Sequence, residues 1–113
     1  MNVIYHINEP EKWEFVISNV KTMLMYGKEH HETFHMEIVA NADAVNCLCR
    51  RNDEYQAAME KLSEDGILIM ACHNSLIKRG INSNELYSFV DVVASGVVEL
   101  TKKQTEGFAY IKV

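Results

Sequence analysis

The 113-residue sequence predicts an α/β fold, a five-stranded parallel sheet with helices on both faces. Three observations carry this expectation. Short strand-like runs alternate with helix-like runs from end to end, as βαβαβαβαβ. The run Ile67–Cys72 is apolar on both sides, the pattern of a strand in the middle of a covered parallel sheet. One proline and five glycines leave no room for a low-complexity linker, so residues 1–113 read as one domain without internal repeats.

Val3–Ile7 is β-branched and aromatic and forms the first strand. In Asn8-Glu9-Pro10-Glu11, Asn8 suits a helix cap, Pro10 the first turn and Glu11 the acid of a capping box. Trp13, Val16, Ile17, Val20 and Leu24 then recur at helical spacing, and Gly27 is the expected end of that helix. Phe34, Met36 and Ile38 alternate with His35 and Glu37 in a second strand that finishes at Val39-Ala40. Asn41 opens a short helix carrying Ala42, Val45, Leu48 and Cys49. A further helix is expected over about 53–65, with Tyr55, Met59 and Leu62 on one side and Gly66 closing it. Ile67–Cys72 is the third strand, and His73–Gly80 a polar turn with a short helix. Asn82 and Glu85 make a capping pair ahead of Leu86. Phe89–Ala94 is a fourth strand, marked as an edge by Asp91. Ser95-Gly96 leads into a helix from Val97 to about Glu106, and Phe108–Val113 is a last edge strand containing Lys112.

The net charge of −5 argues against a protein that neutralises nucleic-acid phosphates or docks on an anionic membrane. The longest apolar run is far too short to span a bilayer, and the N-terminus lacks a secretory pattern. The three cysteines, Cys47, Cys49 and Cys72, therefore read as reduced thiols in a cytoplasmic protein.

Ligands of open parallel sheets bind beyond the carboxyl ends of the strands. Those ends deliver His6 and Asn8, then Asn41, then Cys72, His73, Asn74 and Ser75, then Ser95 and Gly96. Each segment begins or precedes a helix, so unpaired N–H groups point into the same space. Cys72 stands out. A thiol at a helix start is favoured as thiolate. His73 could add charge or move a proton, and Asn74 and Ser75 offer further donors. That is the setting of a persulfide carrier or a nucleophilic cysteine; it is equally that of the buried last residue of a strand.

Other chemistry lacks its motifs. Cys47-x-Cys49 has the wrong spacing for a dithiol pair or shared metal, with Cys49 expected in the core and Cys47 exposed. His30, His31 and His35 match no metal site and read as a solvated loop, and the six methionines as core filling. No metal or cofactor is expected. There is no dinucleotide fingerprint, phosphate loop or nucleophile elbow. A receiver domain would need acids where Ile7-Asn8 and Cys72 stand, and a flavin phosphate would be repelled by Glu9 and Glu11.

The whole chain resembles the DsrE/DsrF-like family, in its single-domain branch. The resemblance is carried by His6-Ile7-Asn8-Glu9 with Trp13, Val39-Ala40-Asn41-Ala42 with Ala44-Val45, and Ala71-Cys72-His73-Asn74-Ser75-Leu76. It continues through Gly96-Val97-Val98-Glu99-Leu100 and Gly107–Lys112. It implies a three-layer α/β/α sandwich and homo-oligomers built from trimers, sometimes hexamers. In the sulfur-relay members a cysteine at the position of Cys72 carries persulfide sulfur between donor and acceptor proteins. The resemblance thus implies a sulfur carrier or sulfurtransferase using Cys72, supported by Asn8, Asn41, His73, Asn74, Ser75 and Gly96. The alternative is a non-enzymatic oligomeric module holding a small anionic metabolite at the same edge or between subunits. Ser95 departs from the proline the family pattern favours, which bears on the turn geometry there.

Overall fold

The computed structural model describes all residues 1–113. The strands are β1 (Asn2–Ile7), β2 (His35–Ala40), β3 (Leu68–Cys72), β4 (Val90–Val93) and β5 (Ala109–Lys112). They form one sheet in the order β4-β3-β2-β1-β5, with every pairing parallel. The helices are α1 (Trp13–Glu29), α2 (Gln56–Glu64), α3 (His73–Lys78) and α4 (Gly96–Thr105), with 3-10 turns at Pro10–Lys12, Ala42–Leu48 and Ser83–Glu85. No helix is long and apolar enough to cross a membrane.

The two faces are covered unequally. One face sends Val3, Tyr5, Ile7, Met36, Ile38, Ala40, Ile69 and Ala71 into a large core with Trp13, Val16 and Val20 of α1, Met59 and Leu62 of α2, and Leu76 of α3. Fully burying such side chains contributes roughly 1.5–3 kcal/mol each. The Trp13 indole is fully buried, and its Nε1–H is satisfied by the Ala44 carbonyl at 2.9 Å. The other face carries α4 alone, which packs on β1, β2 and β5 through a small cluster of Ile4, Val39 and Leu100.

Several expectations are corrected. β3 is not the middle strand but lies next to the edge strand β4, and its α4-side face is only half covered: Leu68 is 48% exposed. Helix α1 runs through Gly27 to Glu29. The glycine is needed for close approach rather than for termination, since a Cβ there would stand 2.6 Å from the Glu32 carbonyl oxygen. Asn8 caps nothing: the chain turns through Pro10–Lys12 without a side-chain cap, and Asn8 Oδ1 instead accepts from Lys112 Nζ at 3.1 Å. The turn residues already form hydrogen bonds along their own backbone, Lys12 N–H to the Glu9 carbonyl at 3.1 Å. Helix α2 begins at Gln56, later than expected, because 52–55 are spent in a turn. Cys47 is buried like Cys49, since the turn Ala42–Leu48 packs inward under Asn52. The Asn82–Glu85 capping box is present, with both of its bonds formed.

Glu37 is the least expected result. Alternation along β2 places it on the α4 side with Val39, and it is 1% exposed with neither carboxylate oxygen hydrogen-bonded. Burial pushes its ionisation up to about 8, and the neighbouring Glu99 carboxyl, which can share its proton, adds to this.

Candidate functional site

Topology selects the place. The connections leaving β1, β2 and β3 run over the face of α1, α2 and α3, while the connection leaving β4 runs over the opposite face as α4. The reversal falls between β3 and β4, and it is beyond the strand ends at such a point that open parallel sheets bind ligands. Cys72 ends β3 and is the N-cap of α3; Ser95 follows β4 and is the N-cap of α4. Ser95 has φ −153°, a value that the ring of proline cannot reach, so the departure from the family pattern fits the turn observed.

Gly96 brings these two helix starts together. A side-chain carbon on Gly96 would stand 3.5 Å from Cys72 Cβ and 3.4 Å from Asn41 Cβ. The three strand ends β2, β3 and β4 thus meet at one point, with the Cys72 sulfur inside. Burial pushes the Cys72 thiol up, but neighbouring donors oppose it: the Ser75 hydroxyl and the backbone N–H groups of Gly96, Ser75 and Asn74. Together they outweigh burial, and the thiol ionises below its ordinary value. Cys47 and Cys49 supply an internal comparison. Both are as buried as Cys72, and burial drives both up, Cys47 despite the Asn52 amide and Cys49 despite Arg51. Only at Cys72 do backbone donors converge.

Ser75 is itself held. Its Oγ accepts from the Ala42 N–H at 2.8 Å, which ties the left-handed Ala42 (φ +50°) to α3. Its carbonyl accepts from Arg79, whose guanidinium also pairs with Asp43 at 2.8 Å. Asn41 reaches the other way, with Oδ1 3.0 Å from His6 Nε2, and His6 Nδ1 lies 2.8 Å from the Tyr110 hydroxyl.

Of the residues singled out in the sequence, Cys72, Ser75, Asn41 and Gly96 are therefore brought together. Asn74 takes part through its backbone, its side chain being exposed. His73 is also exposed and is not among the groups acting on the sulfur. Asn8 sits apart, with Lys112 at the β1–β5 end of the edge. Cys72 is more sheltered than an attacking thiol was expected to be, at 5% exposure, and the chain's larger clefts lie elsewhere, beside Arg50 and Tyr87 and beside Met1 and Gly107. Sequence reading missed Tyr110 and gave His6 no task; the only signal was that both side chains share one sheet face. No group of three or more His, Cys, Asp or Glu side chains could hold a metal ion. His30 instead bonds the Tyr26 carbonyl and stacks on its ring.

The parallel α/β architecture is that of a known family. The chain belongs to the DsrE/DsrF-like family, whose model matches residues 3–113. It is similar to a protein of unknown function from Methanobacterium thermoautotrophicum, MTH1491, with 34% identity over 99% of this chain and 98% of that one, and a TM-score of 0.89. It shares its fold with the ychN protein from E. coli (16% identity, TM-score 0.79, covering 100% and 99% of the two chains). The same holds for a conserved protein of unknown function from Bacteroides thetaiotaomicron, BT1422 (15% identity, TM-score 0.75, covering 99% and 94%). No curated protein matches the chain. Family membership suggests a role of the sulfur-relay type.

Proposed function

We propose that this protein carries sulfane sulfur as a persulfide on Cys72 and passes it on by thiol exchange. The observation that carries the reading is the meeting of Cys72 with Gly96 and Asn41 at the starts of α3 and α4, where the Ser75 hydroxyl and backbone amides lower the Cys72 thiol while burial raises Cys47 and Cys49. The Cys72 thiolate attacks the outer sulfur of a donor persulfide. The donor's S–S bond breaks, its thiolate leaves, and Cys72 gains one sulfur with no net oxidation. An acceptor thiolate then attacks that outer sulfur, and Cys72 departs as thiolate. A thiol that ionises easily is the better leaving group, so the same donors that favour loading favour release. Asn41, Ser75 and Gly96 hold the charged sulfur, while His73 and Asn74 line the exposed approach at the start of α3. Donor and acceptor proteins are the partners this chemistry requires.

The reading includes self-association. Helix α4 leaves Leu68 on the sheet and its own Val97 and Val98 exposed, an apolar surface that a second copy would cover. Native mass measurement is expected to give a multiple of 13.0 kDa; a monomer at micromolar concentration would contradict this part.

Incubation with a low-molecular-weight persulfide, followed by removal of the donor and intact-mass analysis, tests the carrier reading. The wild-type chain is expected to gain one sulfur atom and Cys72→Ser none, although Cys47 and Cys49 remain. Equal uptake by both would overturn it.

A further inference from the structure

The donors around Cys72 are spent on its own sulfur. In a persulfide the outer sulfur stands a further S–S bond away, about 2.05 Å, and carries the charge when the group ionises. It needs a donor of its own. The point where a Gly96 side-chain carbon would stand is bordered by one side chain able to supply it: Asn41 Nδ2 lies 3.6 Å from that point, and Cys72 Cβ lies 3.5 Å from it.

An asparagine amide has a donating end and an accepting end, and only the donating end serves an anion. Which end faces Cys72 is decided on the far side of Asn41. There His6 Nε2 is 3.0 Å from Oδ1, and His6 Nδ1 is 2.8 Å from the Tyr110 hydroxyl. Oδ1 can only accept, so the imidazole proton sits on Nε2 and donates to it, and Nδ1 accepts from the Tyr110 O–H. Nδ2 is then turned toward Gly96 and Cys72. The opposite tautomer would accept from Nδ2 and turn the amide's oxygen to the sulfur. The imidazole is held in its neutral form: burial favours it, the Asn41 bond opposes, and the Lys112 ammonium, beside His6 in register on β5, favours it again. Lys112 is in turn fixed by Asn8 Oδ1 and the Val113 carbonyl.

We propose that His6, backed by the Tyr110 hydroxyl, is a positioning residue that presents the Asn41 amide N–H to the outer sulfur of the Cys72 persulfide. This rests on the persulfide reading above and extends it to two residues, His6 on β1 and Tyr110 on β5, that act on the sulfur only through Asn41.

The test loads the protein with a low-molecular-weight persulfide, removes the donor, adds a low-molecular-weight thiol as acceptor, and follows the loss of the added sulfur to that thiol by intact mass. The variants are His6→Phe, His6→Gln and Tyr110→Phe. Thiol ionisation of Cys72 is measured in parallel on unloaded protein. His6→Phe is expected to lose sulfur about tenfold faster or more, the loss of one hydrogen bond to a charged group. Its Cys72 ionisation should match the wild type, because none of the four donors to that sulfur is His6. His6→Gln, which keeps an N–H for Asn41 Oδ1, should recover most of the retention. Tyr110→Phe, at an exposed position where folding is not at risk, should fall between. Retention equal to the wild type in His6→Phe and Tyr110→Phe would overturn the role of His6 while leaving the carrier reading intact. A Cys72 ionisation displaced as strongly as retention would also overturn it, as the mark of general disruption. If the wild type takes up no sulfur at all, the carrier reading falls and this role with it.

Discussion

Replacing Glu37 by glutamine is expected to make the protein more stable at alkaline pH by several kcal/mol while changing little near pH 4.5. Glu37 is 1% exposed, without a hydrogen bond to either oxygen, and ionises at about 8 instead of 4.5. The sign follows from proton linkage. Below pH 4.5 the carboxyl is neutral in both the folded and the unfolded chain. Between 4.5 and 8 the folded chain keeps a proton that the unfolded chain releases, so stability falls as pH rises, by about 1.4 kcal/mol per unit. Above 8 both states are ionised and the loss is complete, on the order of 3–5 kcal/mol. The glutamine variant has no such window. Denaturant midpoints of both proteins from pH 5 to pH 9 measure the difference directly. Parallel pH profiles would show that Glu37 ionises normally and that the α4 face is open to water.

Ser75→Ala is expected to raise the ionisation of Cys72 toward that of Cys47 and Cys49 and to destabilise the fold by about 1–3 kcal/mol. The hydroxyl has two tasks. It heads the donors that lower the Cys72 thiol, and it accepts from the Ala42 N–H at 2.8 Å, where the backbone is left-handed at φ +50°. Without it the Ala42 N–H loses its partner and Cys72 keeps three backbone donors against its burial. Ser75→Thr retains the hydroxyl and should retain most of both effects. Urea unfolding and the pH dependence of thiol alkylation report the two separately. An unchanged thiol in Ser75→Ala would mean that the backbone donors suffice.

Much of this site was legible before the fold was seen, and for a physical reason. Strand ends are local features: Ala71-Cys72 followed by His73-Asn74-Ser75 marks the passage from buried strand to polar helix start, and Ser95-Gly96 does the same after β4. The sheet rule then places these ends on one edge, so Cys72, Asn41, Ser75 and Gly96 could be grouped without coordinates. What stayed hidden depends on strand order and on which face each crossover takes. His6 and Tyr110 are 104 residues apart and meet because β5 returns beside β1, a pairing that alternation of strands and helices does not specify. Glu37 reads as the polar side of β2 until α4 is known to lie over it. Leu68 reads as covered until α4 is known to be the only helix on its side. Gly27 carries the usual mark of a helix end, yet serves the contact with Glu32 one turn later.

Sulfur transfer through Cys72 requires that this thiol ionise more easily than Cys47 and Cys49. The direct measurement is the pH dependence of alkylation in the folded wild-type chain, with each cysteine followed by peptide mapping. Cys72 is expected to ionise below the ordinary thiol range and to be modified first, while Cys47 and Cys49 stay protonated above it. Were all three thiols to ionise together at or above the ordinary value, the amides at the starts of α3 and α4 would not be holding a thiolate, and sulfur transfer through Cys72 would lose its physical basis.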